Sequence, residues 1–141
     1  MTNFAINLKK YLDERNISLH KFAEMSGFKF TTFYDFMKSD NPLLANVLKI
    51  VDYLGTSMDY FEGKTTKFKC NAKKDYKFDL YTRVKQIMAQ TNTTFFKLAA
   101  DLKMSRTNLT RWRDGDAPKY ITIVNIANYF NMSIDEFVGR V

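Results

Sequence analysis

Apolar residues recur along the chain at three- and four-residue spacings and hardly anywhere in alternation. Leu80, Val84, Ile87 and Met88 fall on one side of a helix that turns about 100° per residue, so a helix is predicted there. Thr94 is placed to cap a second helix through its side-chain oxygen, with Leu98, Ala99 and Leu102 on the inner side. Ser105 reads as the cap of a third helix whose Leu109 and Trp112 face the core. Gly115 closes that helix, and Pro118 stands just past its end, where a helix cannot continue. Ile123, Ile126, Ala127 and Phe130 predict a fourth helix, and Ser133 starts a final turn. No segment alternates well enough for a strand, so the pattern predicts an all-α chain of short helices.

The same pattern occurs earlier. Shifted by 76 positions against itself, the sequence stays in register from Phe4 to Gly63 without a gap. Lys21-Phe22-Ala23 falls on Lys97-Leu98-Ala99, and Ile50, Tyr53, Ser57, Asp59, Phe61 and Gly63 meet identical partners. Chance pairing of amphipathic helices does not hold turn residues in place over such a length. The expected organisation is therefore two copies, residues 1–63 and 77–141, joined by a basic connector at 64–76. Ser18 takes the capping role in the first copy, and about 60 residues per copy predict small cores.

In each copy, helices two and three are separated by about four residues, which makes a helix-turn-helix candidate. "FAEMSGFKFTTFYDFMKSD" and "LAADLKMSRTNLTRWRDGD" both resemble the Cro/phage-repressor-like, or XRE-type, helix-turn-helix domain. "IVNIANYFNMSIDEF" is similar to that family's fourth and fifth helices. The resemblance implies two tandem lambda-repressor-like domains of about five helices each. It also implies a double-stranded DNA partner, contacted from the first, second and sixth positions of the third helix. In the second copy these are Arg106, Thr107 and Arg111.

The chemistry of that stretch agrees. Arg106, Thr107, Thr110 and Arg111 share one face, opposite Leu109 and Trp112. Arginine can grip guanine O6 and N7 with two hydrogen bonds, worth about 1–3 kcal/mol of discrimination. Ser105 is placed for a thymine methyl or a phosphate, and Lys97, Arg113 and Lys119 are candidate phosphate contacts. The first copy departs from this. It carries Phe30, Thr31 and Asp35 at the matching positions and Lys29 at the cap. Phe30 and Tyr34 add aromatic surface beyond the expected core residues Phe28, Phe33 and Phe36. Two readings stand side by side: Phe30, Tyr34 and Asp35 form a protein contact, for instance a homodimer interface, or the aromatics simply enlarge a small core. The second copy departs too, with Lys103 where Gly27 supplies the turn in the first.

Charge divides the same way. Residues 1–63 carry seven Lys/Arg against eight Asp/Glu, residues 64–76 five against one, and residues 77–141 ten against six. The basic half is the expected DNA half. Fully extended, the connector would reach roughly 40 Å, enough to set two domains about one DNA turn (roughly 34 Å) apart. Cys70 is the only cysteine, so no intrachain disulfide forms; its lysine neighbours are expected to lower its pKa, and it reads as a passive thiol. His20 is the only histidine, no serine sits in a glycine elbow and no glycine loop cradles phosphate, so neither catalytic residues, a metal site nor a cofactor is expected. Early charge in the N-terminal stretch and the absence of a long apolar run predict a cytoplasmic chain that meets no membrane. The leading expectation is a sequence-specific transcriptional regulator, a repressor of bacterial, phage or plasmid origin. The alternative is a protein-interaction module, such as a phage inhibitor of a host nuclease, built on the same scaffold.

Overall fold

The computed structural model describes residues 1–141 and contains ten α-helices and no strand. Five lie in the first half: α1 (Asn3–Glu14), α2 (Leu19–Ser26), α3 (Phe30–Lys38), α4 (Leu44–Leu54) and α5 (Met58–Phe61). Five follow in the second: α6 (Leu80–Thr91), α7 (Phe95–Leu102), α8 (Asn108–Arg113), α9 (Tyr120–Tyr129) and α10 (Ile134–Val138). None is long and apolar enough to cross a membrane.

Local chemistry sets most of the boundaries. Ser18 and Thr94 each accept the backbone N–H three residues on, and so open α2 and α7. Ser57 and Ser133 do the same for α5 and α10. Each such cap is worth about 0.5–2 kcal/mol. The expected inner faces are inner faces. Leu80, Val84, Ile87 and Met88 are buried on α6, and Phe28, Phe33 and Phe36 are buried around α3.

The two halves do not form separate small cores. Twenty-nine buried residues make one continuous cluster running through both. α4 packs on α9 and α5 on α10. Tyr120, fully buried, places its ring 5.5 Å from that of Phe4 and donates its hydroxyl to Glu62 at 2.8 Å. Burial beside that carboxylate pushes the Tyr120 hydroxyl well above its usual pKa.

Contacts between the halves come in reciprocal pairs at the 76-residue offset of the sequence. Leu43 and Lys119 bridge in antiparallel fashion. Beside them the Leu44 N–H donates to Pro118 O at 2.9 Å and the Tyr120 N–H to Pro42 O at 2.8 Å. Asp135 accepts the N–H groups of Met58 and Asp59, the first two of α5. Asp59 accepts those of Ile134 and Asp135, the first two of α10. Each carboxylate thus caps the other half's short helix, whose positive end favours a negative charge. Lys64 reaches Asn128 and the Met132 carbonyl, while Arg140 reaches Asp52 and the Thr56 carbonyl. Such reciprocity, residue i meeting j while j's counterpart meets i's, is the mark of a two-fold interface.

The connector follows the body instead of spanning 40 Å. Phe68 stacks on Tyr11 at 5.3 Å, and its carbonyl accepts from the Thr56 hydroxyl. The Cys70 N–H donates to Gly55 O, the Lys73 N–H to Arg140 O, and the Tyr76 hydroxyl to Asp52. The extended-spacer expectation is therefore overturned: aromatic side chains within the lysine run bury themselves on the folded body. Burial and the bond to Asp52 push the Tyr76 hydroxyl up to about 12. The lysine-based expectation for Cys70 is corrected as well. Burial raises its thiol pKa, outweighing Arg140 and Lys67, which lower it.

Candidate nucleic-acid interface

α7, a short turn and α8 carry the residues singled out for DNA contact. α7 ends at Lys103, which adopts a left-handed backbone (φ 56°), as Gly27 does (φ 79°) at the matching place after α2. A side chain there costs roughly 1–2 kcal/mol. The Lys103 N–H bonds to Ala100 O and the Met104 N–H to Ala99 O, so the exit from α7 is still fully hydrogen-bonded.

The third helix starts later than expected. Its α-helical turns begin at Asn108, and Thr107 makes no side-chain cap bond. Ser105 instead accepts the Thr107 N–H at 3.2 Å and pairs with the Thr107 hydroxyl at 2.7 Å, while its carbonyl takes the Asn108 N–H. The Ser–Thr pair therefore competes for backbone that Lys29 and Phe30 leave to the helix in the first half. Arg106 and Thr107 consequently lie in a tight turn at the mouth of α8, and Ser105 organises that turn. Leu109 and Trp112 face inward, but only half-buried; Trp112 meets the edge of Phe95 at 5.7 Å. α3, by contrast, buries Phe33, Phe36 and Met37.

Outward from this scaffold stand Arg106, Thr107, Thr110 and Arg111, all exposed. The Arg106 guanidinium lies over the Phe96 ring, 4.6 Å from its centre, and Phe96 is itself 61% exposed. Sequence reasoning passed over Phe96; the available signal was an aromatic on the outer side of α7, next to Lys97. A cation held over a ring at an exposed site gains about 0.5–1 kcal/mol, which restricts where the guanidinium can go. Phe96→Ala is expected to weaken binding to a preferred duplex about 2- to 5-fold, as read by fluorescence anisotropy. Phe96→Tyr should retain binding, and equal affinities for all three proteins would remove the role.

The expected phosphate contacts separate into two groups. Lys97 pairs with Asp101 at 3.1 Å, and that carboxylate also takes the Tyr129 hydroxyl at 2.6 Å. The two hydrogen bonds hold the Asp101 pKa below its ordinary value, and Asp101 raises that of Lys97. Arg113 pairs with Asp114 at 3.1 Å, which raises its pKa. Both pairs are fully solvated and screened by salt, so a phosphate can compete for the cations. Lys119 is exposed and sits on the bridge between the halves. Arg106 and Arg111 have no acidic partner.

On the first half, Phe30 and Tyr34 are exposed and stacked on one another at 5.7 Å. His20 leans on Phe30 at 5.0 Å, and the Lys38 ammonium lies 4.3 Å above the Tyr34 ring. Asp35 is exposed beside them. These aromatics do not enlarge the core; they form an outward stripe.

Comparison with curated proteins and with solved structures gives no match. Residues 83–141 match the model of the Cro/C1-type HTH DNA-binding domain, which includes α7, the turn and α8 whole, so the chain carries one Cro/C1-type HTH domain in its second half.

Proposed function

We propose that the protein is a sequence-specific regulator of transcription that binds double-stranded DNA and reads the major groove with the mouth and outer face of α8. Arg106 and Arg111 take guanines, Thr107 and Thr110 take neighbouring base edges, and Ser105, Lys97, Arg113 and Lys119 hold phosphates. The observation that carries the reading is the coincidence of two things. The family match falls on the half whose third helix presents two arginines free of acidic partners. Binding there would exclude other proteins from the same DNA, so the regulator acts as a repressor by occupying its operator, in a bacterium, phage or plasmid.

Selection from a random duplex library, followed by titration at 50 and 200 mM salt, tests this. A preferred sequence should emerge that binds about 10³-fold or more tighter than a scrambled one. Affinity should fall steeply between the two salts, as phosphate contacts release counterions. No enrichment over the starting library, or equal affinity for selected and scrambled duplexes, would refute the reading.

A further inference from the structure

We infer that one chain acts as its own dimer: it binds DNA as a monomer on a two-part site, with α8 in one major groove and α3 in the next, over unlike half-sites. The inference rests on the proposed DNA reading and adds a second DNA-binding surface to it.

The internal two-fold carries the argument. Backbone bridging at Leu43 and Lys119, the Asp59–Asp135 capping exchange and the Lys64/Arg140 pair all repeat at a 76-residue offset. Each third helix ends within six residues of the bridge, so α3 and α8 flank the same axis. Duplex DNA has local two-fold axes of its own. Two-fold proteins align with them, and their paired elements enter grooves one helical turn apart. If α8 docks with the internal axis on the duplex dyad, α3 faces the adjacent groove.

The surface of α3 suits that place. Phe30, Thr31, Tyr34 and Asp35 occupy the positions of Arg106, Thr107, Thr110 and Arg111, and all are exposed. Lys21, Lys29 and Lys38 surround them, also exposed, although the first half as a whole is slightly acidic. Threonine and phenylalanine suit thymine methyls, and a carboxylate can accept from cytosine N4. Arginines on one side and these groups on the other read different letters. A symmetric operator is therefore not what this chain prefers.

The test uses the full chain on its selected duplex, with hydroxyl-radical footprinting and measurement of complex mass. The expected result is one chain per duplex and two protected patches on one face, about 10–11 base pairs apart. The triple variant Phe30→Ala, Thr31→Ala, Asp35→Ala should erase one patch and lose at least 10-fold in affinity while keeping the parent melting temperature, since all three side chains are exposed. Arg106→Ala with Arg111→Ala should erase the other patch. A single patch, an unaffected triple variant, or two chains on a palindrome would overturn the inference. An unaffected triple variant would leave the aromatic stripe as a protein contact. The DNA reading itself fails differently: no patch forms, or the arginine variant changes neither patch.

Discussion

Arg106→Ala combined with Arg111→Ala is expected to weaken binding to the selected duplex by at least about 30-fold at fixed salt. Each bidentate arginine–guanine pair is worth about 1–3 kcal/mol, and about 1.4 kcal/mol is a tenfold change. Both side chains are exposed on a helix mouth that does not depend on them for packing, so the melting temperature should be unchanged. Lysine replacements separate two causes. Lysine keeps the positive charge but lacks the planar fork that grips two acceptors at once. If Arg106→Lys and Arg111→Lys restore general DNA affinity but not the preference over a scrambled duplex, the arginines read bases. Full restoration of preference by lysine would mean that charge alone acts. A double alanine variant that binds as well as the parent would remove α8 from the interface.

Arg140→Met should be the most damaging single change to stability. Arg140 is 1% exposed and holds Asp52, the Thr56 carbonyl and the Asp135 carboxylate, which is 2% exposed. Burial pushes the Asp135 carboxyl above the usual aspartate range, and Arg140 pulls it back. Removing one member of a buried pair strands the other charge and costs about 3–5 kcal/mol. That is a large part of the roughly 5–15 kcal/mol that holds a domain together. A fall of roughly 10–15 °C in thermal denaturation is expected. Two variants make the result specific. Lys64→Met removes the counterpart, but Lys64 is 34% exposed and lies 3.9 Å from Asp59, so at most about 1 kcal/mol is lost. Asp135→Asn, added to Arg140→Met, should recover part of the loss because a neutral amide is cheaper to bury. Equal losses for the Arg140 and Lys64 variants, or no recovery with Asp135→Asn, would refute the buried-pair account.

Much of the candidate site was legible from one strand of text because its causes are local. A threonine or serine three residues before a free N–H caps a helix wherever it stands, and Ser18, Thr94 and Ser133 do so. Lys103 in the place of Gly27 pointed to a left-handed turn residue, and its φ is positive. The start of α8 was misjudged through another local competition: Ser105 spends its hydroxyl on the Thr107 N–H, which delays the helix to Asn108. Phe96 and the Asp101 and Asp114 pairings escaped notice because they depend on which exposed side chains lean together, and helical periodicity does not encode that.

Periodicity, caps and turn residues thus dictated ten short helices, their apolar faces and an arginine-bearing third helix. What covers each apolar face was decided elsewhere. A stripe on α4 or α9 is equally apolar whether it closes its own small core or a neighbour's, and folding merged the two into one. Asp59 and Asp135 read as ordinary acids in the first turn of a helix; only their meeting across the two-fold makes each the cap of the other's helix. Spacing along a chain specifies orientation about a helix axis, whereas contacts between residues 76 apart depend on how whole faces pack, and no local pattern carries that information.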